Sequence, residues 1–182
     1  MAKNYSCGWI GQSDLYKNLE KKFGNMLKGQ RVTETPSTPG FHVVRNIPEA
    51  VFISDHDQKL YRSGVDMLLF LVKHTRQDLS NSTHKLSKVM YKATEGHKAT
   101  EGHMKELCRV IKYAIDTKNK GLKLQPEDTD DKWKIEAYSD ADFAGDKETR
   151  ISVTGYVIYF MNVPIFWQSR GQKGITLSTT EA

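Results

Sequence analysis

Apolar positions fall along this chain in two rhythms, and the rhythm changes once. Through residues 13–120 they recur three and four apart, the spacing that lines one face of a helix; from residue 133 they alternate with polar ones, the spacing of a strand. The first helical stretch is 13–23, where Leu15, Leu19 and Phe23 share a face, Ser13 is placed to cap and Gly24 to terminate. Residues 31–40, RVTETPSTPG, hold two prolines, a glycine and several hydroxyls, and read as a linker. Residues 46–58 read as irregular and polar. A buried helix is expected over 60–72, weakened but not broken by Ser63 and Gly64. A third covers 79–91, with Leu79, Leu86, Val89 and Met90 as its apolar positions. The clearest spans 104–115: Met104, Leu107, Cys108, Ile111, Ala114 and Ile115 keep the helical pattern, and Gly121 closes the following turn.

An acidic stretch, QPEDTDD at 125–131, marks the boundary between the two rhythms. Strands are expected at about 133–140, 151–161 and 164–169, with a possible fourth near 174–177. In the first, Trp133, Ile135 and Ala137 point one way and Glu136, Tyr138 and Asp140 the other. Asn162-Val163-Pro164 supplies the turn between the second and third. Ser178 or Thr179 is placed to cap a helix with Glu181 in its first turn. The pattern therefore predicts an α+β fold, with helices over most of 13–120 and an antiparallel meander over 133–177.

Composition narrows the class. Hydrophobic residues make up 38% and charged residues 27%, on the polar side of a soluble protein. The longest apolar run, 67–72, is far too short to span a bilayer, and residues 1–10 lack the apolar segment of a secretory signal. No membrane partner is expected, and the location is expected to be cytoplasmic or nuclear. Cys7 and Cys108 lie about a hundred residues apart and form no ligand pair. KATEGH occurs twice in succession over 92–103, too few units for a solenoid; the extra copy should lengthen a helix or bulge as a loop. Its two histidines, His97 and His103, are not at a helical metal spacing, and the other four are scattered, so no zinc site is expected.

Two patterns could carry chemistry. Asp140 and Asp142 return to the same side of a continuing strand, and like charges that close call for a cation or for solvent. Lys105, Arg109 and Lys112 form a basic stripe opposite the apolar face of 104–115. Such a stripe lies beside a phosphate backbone or is a solvated face, and the net charge of +5 permits the first without requiring it.

The ordered set YSDADFAGD (138–146), Arg150, Ser152, Thr154-Gly155-Tyr156, Ile165, Trp167, Ser169, Gln172-Lys173 and 178–182 (STTEA) resembles, over about 45 positions, the start of the ribonuclease H domain in copia-type LTR-retrotransposon polyproteins. Upstream, the helix at 13–23 with its Thr-Pro linker is similar to the region after the polymerase palm of that family. Tyr61-Arg62 through Thr75-Arg76-Gln77-Asp78 resembles the segment after the thumb, with Gln77 where the family has proline. The resemblance implies a reverse-transcriptase thumb-like remnant and linker at 1–59, a helical connection segment at 60–125, and the N-terminal part of an RNase H-like domain at 132–182. It implies Mg²⁺ or Mn²⁺ held by carboxylates, with Asp140 and Glu181 (or an acidic residue beyond Ala182) as catalytic and metal ligands, and an RNA–DNA hybrid or other nucleic acid as partner. Lys105, Arg109 and Lys112 are the candidate nucleic-acid contacts. The Tyr-x-Asp-Asp polymerase hairpin does not occur in the sequence, and the remaining nuclease carboxylates lie on strands the chain lacks. The expectation is a polyprotein fragment with an incomplete catalytic set; the alternative is a domesticated, non-catalytic nucleic-acid- or protein-binding module. With its palm partners elsewhere, the first 60 residues are expected to pack poorly and the Thr-Pro linker to rest on no core.

Overall fold

Helices form where the three-and-four spacing runs, and strands where it gives way to alternation. The computed structural model describes residues 8–44, 51–90, 98–125, 133–146, 149–174 and 177–180. Among them are four α-helices and two antiparallel sheets. They divide into two units, Gln12–Lys120 and Met1–Gly11 with Gly121–Ala182.

The helical unit contains α1 (Ser13–Leu27), α2 (Asp55–His74), a short 3₁₀ turn (Gln77–Leu79), α3 (Ser80–Ser87) and α4 (Glu101–Asp116). Helix α1 runs past Gly24 because Leu27 continues the buried stripe of Leu19 and Phe23, and one glycine costs only about 1 kcal/mol. Ser13 is its first residue rather than its cap; Gln12 holds the cap position with no side-chain hydrogen bond. Helix α2 starts inside the stretch expected to be irregular. Ser54 caps it, its Oγ accepting from the Asp57 N–H at 3.1 Å, and Asp55 and Asp57 suit the positive end of the helix dipole. The stripe Gln58, Tyr61, Gly64, Val65, Leu68 and Leu71 then faces the core. Gly64 is needed there: a Cβ would lie 2.7 Å from Phe23 Cζ and 3.0 Å from Leu107 Cδ2. Helix α3 is shorter than the expected 79–91, whose last residue lies outside the described set.

The expectation of a loosely packed N-terminal region is overturned within this unit. Leu19 and Phe23 are wholly buried in the same core as Tyr61, Leu68, Leu107 and Ile111. The amphipathic stripe of α1 finds its cover on α2 and α4, so it does not depend on partners elsewhere. The linker too has a seat, described below.

In the other unit, β1 (Gly8–Ile10) pairs antiparallel with β2 (Leu122–Leu124). The meander has strands β3 (Ile135–Asp142), β4 (Val153–Phe160) and β5 (Val163–Gly171) in the order β3-β4-β5. Phe160 pairs with Val163, so the tight turn is Met161-Asn162 rather than Asn162-Val163-Pro164. Both turn residues have positive φ, 51° and 66°, the geometry that matches the twist of the flanking strands. Pro164 lies inside β5, next to a register shift that accommodates its missing N–H. Gly174 and Leu177 are not in a strand, and the rest of the possible fourth strand, 175–176, lies outside the described residues.

The two units differ in burial. Among the described residues, every buried apolar side chain belongs to the helical unit. Among the described residues of the meander only Asp146 and Ser152 are buried, while Trp133, Ile135, Tyr138, Ile165 and Phe166 are exposed.

Candidate functional site

Antiparallel register fixes what surrounds the aspartates. Asp140 pairs with Gly155, which pairs with Ser169, so the three share one sheet face with Tyr138, Val157 and Trp167. A Cβ on Gly155 would meet nothing within 4 Å, so the space beside Asp140 is open. Asp140 is exposed, and one oxygen accepts from the N–H of its neighbour Ala141 at 2.9 Å. Asp142, on the same face of β3, curls over the turn instead: a Cβ on Gly145 would lie 2.3 Å from its Oδ2, so only glycine fits beneath it. Asp146 is structural. It is buried, its Oδ1 accepts from the Thr149 N–H at 3.1 Å, and its backbone bonds Arg150 and Ile151. Ser152, also buried, closes the same loop by accepting from the Ala144 N–H at 3.1 Å.

Glu181 lies outside the described residues. Among those that are described, no three His, Cys, Asp or Glu side chains come together as a metal cage. Asp140 and Asp142 offer hard oxygen donors of the type Mg²⁺ or Mn²⁺ prefers.

The basic stripe on α4 is uneven. Lys105 is exposed. Lys112 is paired one turn on with both oxygens of Asp116, which offsets its charge. Arg109 is half-buried; its Nη2 makes a long 3.4 Å contact to Thr35 Oγ1, and its Nε is buried without a partner.

Three buried polar groups escaped the sequence reading. Arg76, only 1% exposed, donates to both oxygens of Asp78, at 2.9 and 2.8 Å, and to Tyr16 Oη, the Ala114 and Thr117 carbonyls and Thr117 Oγ1. It ties α1, the 3₁₀ turn and the end of α4 together, just after α2 ends. Burial alone would raise the Asp78 carboxyl, but the Arg76 guanidinium outweighs it and holds the group below its usual range. Gln58 donates to the Val89 carbonyl at 3.1 Å and accepts from the Ala99 N–H at 3.0 Å, holding both flanks of residues 91–97. Glu106 is buried under the linker: Oε1 accepts from Ser37 Oγ and the Thr38 N–H, both at 2.7 Å, and Oε2 from Thr38 Oγ1 at 2.8 Å. One signal in the sequence pointed to Glu106. It is a charged residue at a position flanked by Leu107 and Val110 on the apolar side of its helix.

The second KATEGH copy has a local role. Thr100 caps α4, and His103 completes a capping box by accepting the Thr100 N–H on Nδ1 at 3.1 Å. The first copy, with His97, lies outside the described residues apart from its junction with Lys98. Cys108 is buried, and burial pushes its thiol up to about 11, so it is a packing residue.

No family model and no solved structure matches the chain. Among curated proteins it is 36% identical over 158 residues to the retrovirus-related Pol polyprotein from transposon RE1 of Arabidopsis thaliana, a match covering 87% of this chain and 10% of that protein. It is 39% identical over 126 residues to the corresponding polyprotein from transposon RE2 of the same plant, covering 69% of the chain and 8% of that protein. It is also 33% identical over 121 residues to the secreted RxLR effector protein 161 of Plasmopara viticola, covering 66% of the chain and 79% of that protein. The chain thus spans about a tenth of the length of the polyproteins it matches.

Proposed function

This chain belongs to the copia-type, retrovirus-related Pol polyproteins of transposons, and we propose that it is the segment joining the end of the reverse transcriptase to the start of the ribonuclease H domain. In this reading 1–59 and 60–125 are thumb-like and connection helices, and 132–182 is the first part of the nuclease fold. The observation that carries it is the meander β3-β4-β5, with Asp140 standing on an open sheet face opposite Gly155. The exposed apolar side chains of that sheet would be covered, in the parent polyprotein, by chain that follows it.

Asp140 would be the ligand for a divalent ion, which supplies an activated water when bound; Glu181 is the proposed second ligand. Two carboxylates do not offset the mutual repulsion of two ions about 4 Å apart, so no hydrolytic step is assigned to the chain by itself. Weak binding of an RNA–DNA hybrid would draw mainly on Lys105 and Arg109. The test is cleavage of a labelled RNA–DNA hybrid by purified protein in Mg²⁺ or Mn²⁺, beside an Asp140→Asn control. Silence in both is expected. Cleavage lost in the control would overturn the incomplete reading.

One observation favours a second reading. The relative from Plasmopara viticola is matched over most of its length. That supports a stand-alone protein built from the same segment, the setting in which a binding module would act. Hybrid binding that is tight rather than weak, falls with salt and is unchanged by Asp140→Asn would favour this reading over the first.

A further inference from the structure

The linker crosses α4 where two opposite charges stand one turn apart. Glu106, 6% exposed, accepts three hydrogen bonds from Ser37 and Thr38. Arg109 reaches Thr35 Oγ1 at 3.4 Å and keeps a buried Nε without a partner. Thr35 and Thr38 are exposed, and each precedes a proline, Pro36 and Pro39. An exposed threonine followed by proline is the substrate chemistry of proline-directed protein kinases. We propose that Thr38 is a phosphorylation site whose modification unclasps the linker from α4, and that the same modification at Thr35 fastens it.

The chemistry is a phosphoryl transfer from ATP. A bond forms between threonine Oγ1 and the γ-phosphorus, the bond from that phosphorus to the bridging oxygen breaks, ADP leaves, and the hydroxyl proton passes to the kinase's base. The product carries about −1.5 to −2 charges and no hydroxyl donor. At Thr38 it removes the 2.8 Å bond to Glu106 and sets like charges face to face. The carboxylate cannot follow the linker outward, because Glu106 is fixed on the buried side of α4. At Thr35 the phosphate instead meets Arg109, whose Nε and Nη2 provide a forked pair of donors. Two threonines three positions apart thus respond in opposite directions, because their partners carry opposite charge.

The test uses the full chain, a proline-directed kinase and ATP, with sites assigned by mass spectrometry. In Thr35→Val, phosphate on Thr38 should speed exchange of the Thr38 and Phe41 amides, which bond Glu106 and the Thr38 carbonyl. A factor of about ten or more is expected, the loss of one hydrogen bond to a charged acceptor. In Thr38→Val, phosphate on Thr35 should slow exchange across 35–41, and Arg109→Gln should abolish the slowing. Unchanged exchange with Thr38 phosphorylated overturns the proposal. So does a folded chain that takes no phosphate at Thr38 while a peptide of residues 31–42 does.

Discussion

Phe23 and Phe166 are the same side chain in two situations. Phe23, on α1, is fully buried against α2 and α4. Phe166, on β5, is 51% exposed and has a stacked Tyr156 beside it, with ring centroids 5.8 Å apart. A helix has one apolar stripe, and four short helices can close their stripes on one another. A sheet has two faces. In the meander, Ile135 on one side and Tyr138 on the other are both more than half exposed. The helical unit therefore holds the elements of its own stability, whereas the sheet, among the described residues, has strand pairing without buried apolar side chains.

The largest effect that would break this contrast is its absence at Phe23. Phe23→Ala should cost about 3–5 kcal/mol, through lost burial and a cavity beside Gly64. Urea unfolding would measure it, and a cost below about 1 kcal/mol would mean the core is not shared between α1 and α2. Arg76→Met should cost about 3 kcal/mol, because Asp78 and the carbonyls of Ala114 and Thr117 lose their donor together. The Asp78 carboxyl is depressed in the fold, so its contribution is present above the unfolded carboxylate pKa and is lost as pH falls through the lower folded value.

A smaller effect is set by His103. Burial lowers its pKa, and Nδ1 must stay unprotonated to accept the Thr100 N–H. The neutral form is favoured by folding, so stability is complete above about pH 6.5 and declines as pH falls toward the lower folded value. The loss, about 1 kcal/mol for the cap, should appear as a falling melting temperature and be absent in His103→Gln. The smallest effect is expected at Phe166→Ser: a change in unfolding free energy within about 0.5 kcal/mol, measured by urea unfolding. A cost like that of Phe23→Ala would show a cover over the sheet.

Much of this arrangement was legible in the sequence. The three-and-four spacing at Leu107, Cys108, Ile111 and Ala114 marked the buried face of α4, and alternation at Ile135, Glu136, Ala137 and Tyr138 marked the faces of β3. What escaped depended on contacts far apart in sequence. Nothing near Thr38 announces Glu106, which lies 68 positions away. The start of α2 was hidden because Asp55, His56 and Asp57 look like loop, although a capped first turn tolerates charge. The cover of α1 by α2 and α4 is a tertiary contact that the spacing of Leu15, Leu19 and Phe23 does not specify. At the candidate site, the side of β3 that carries Asp140 could be read from the alternation. The turn geometry that bends Asp142 over Gly145 could not, because it depends on backbone conformation.

Hydrogen exchange along the intact chain tests the contrast most directly. Amides in α2 and α4, around Tyr61, Leu68, Leu107 and Ile111, should exchange slowest, and those of β3, β4 and β5 at least about tenfold faster, through local opening of a sheet whose described apolar side chains are not buried. Equal protection in the two units would contradict it.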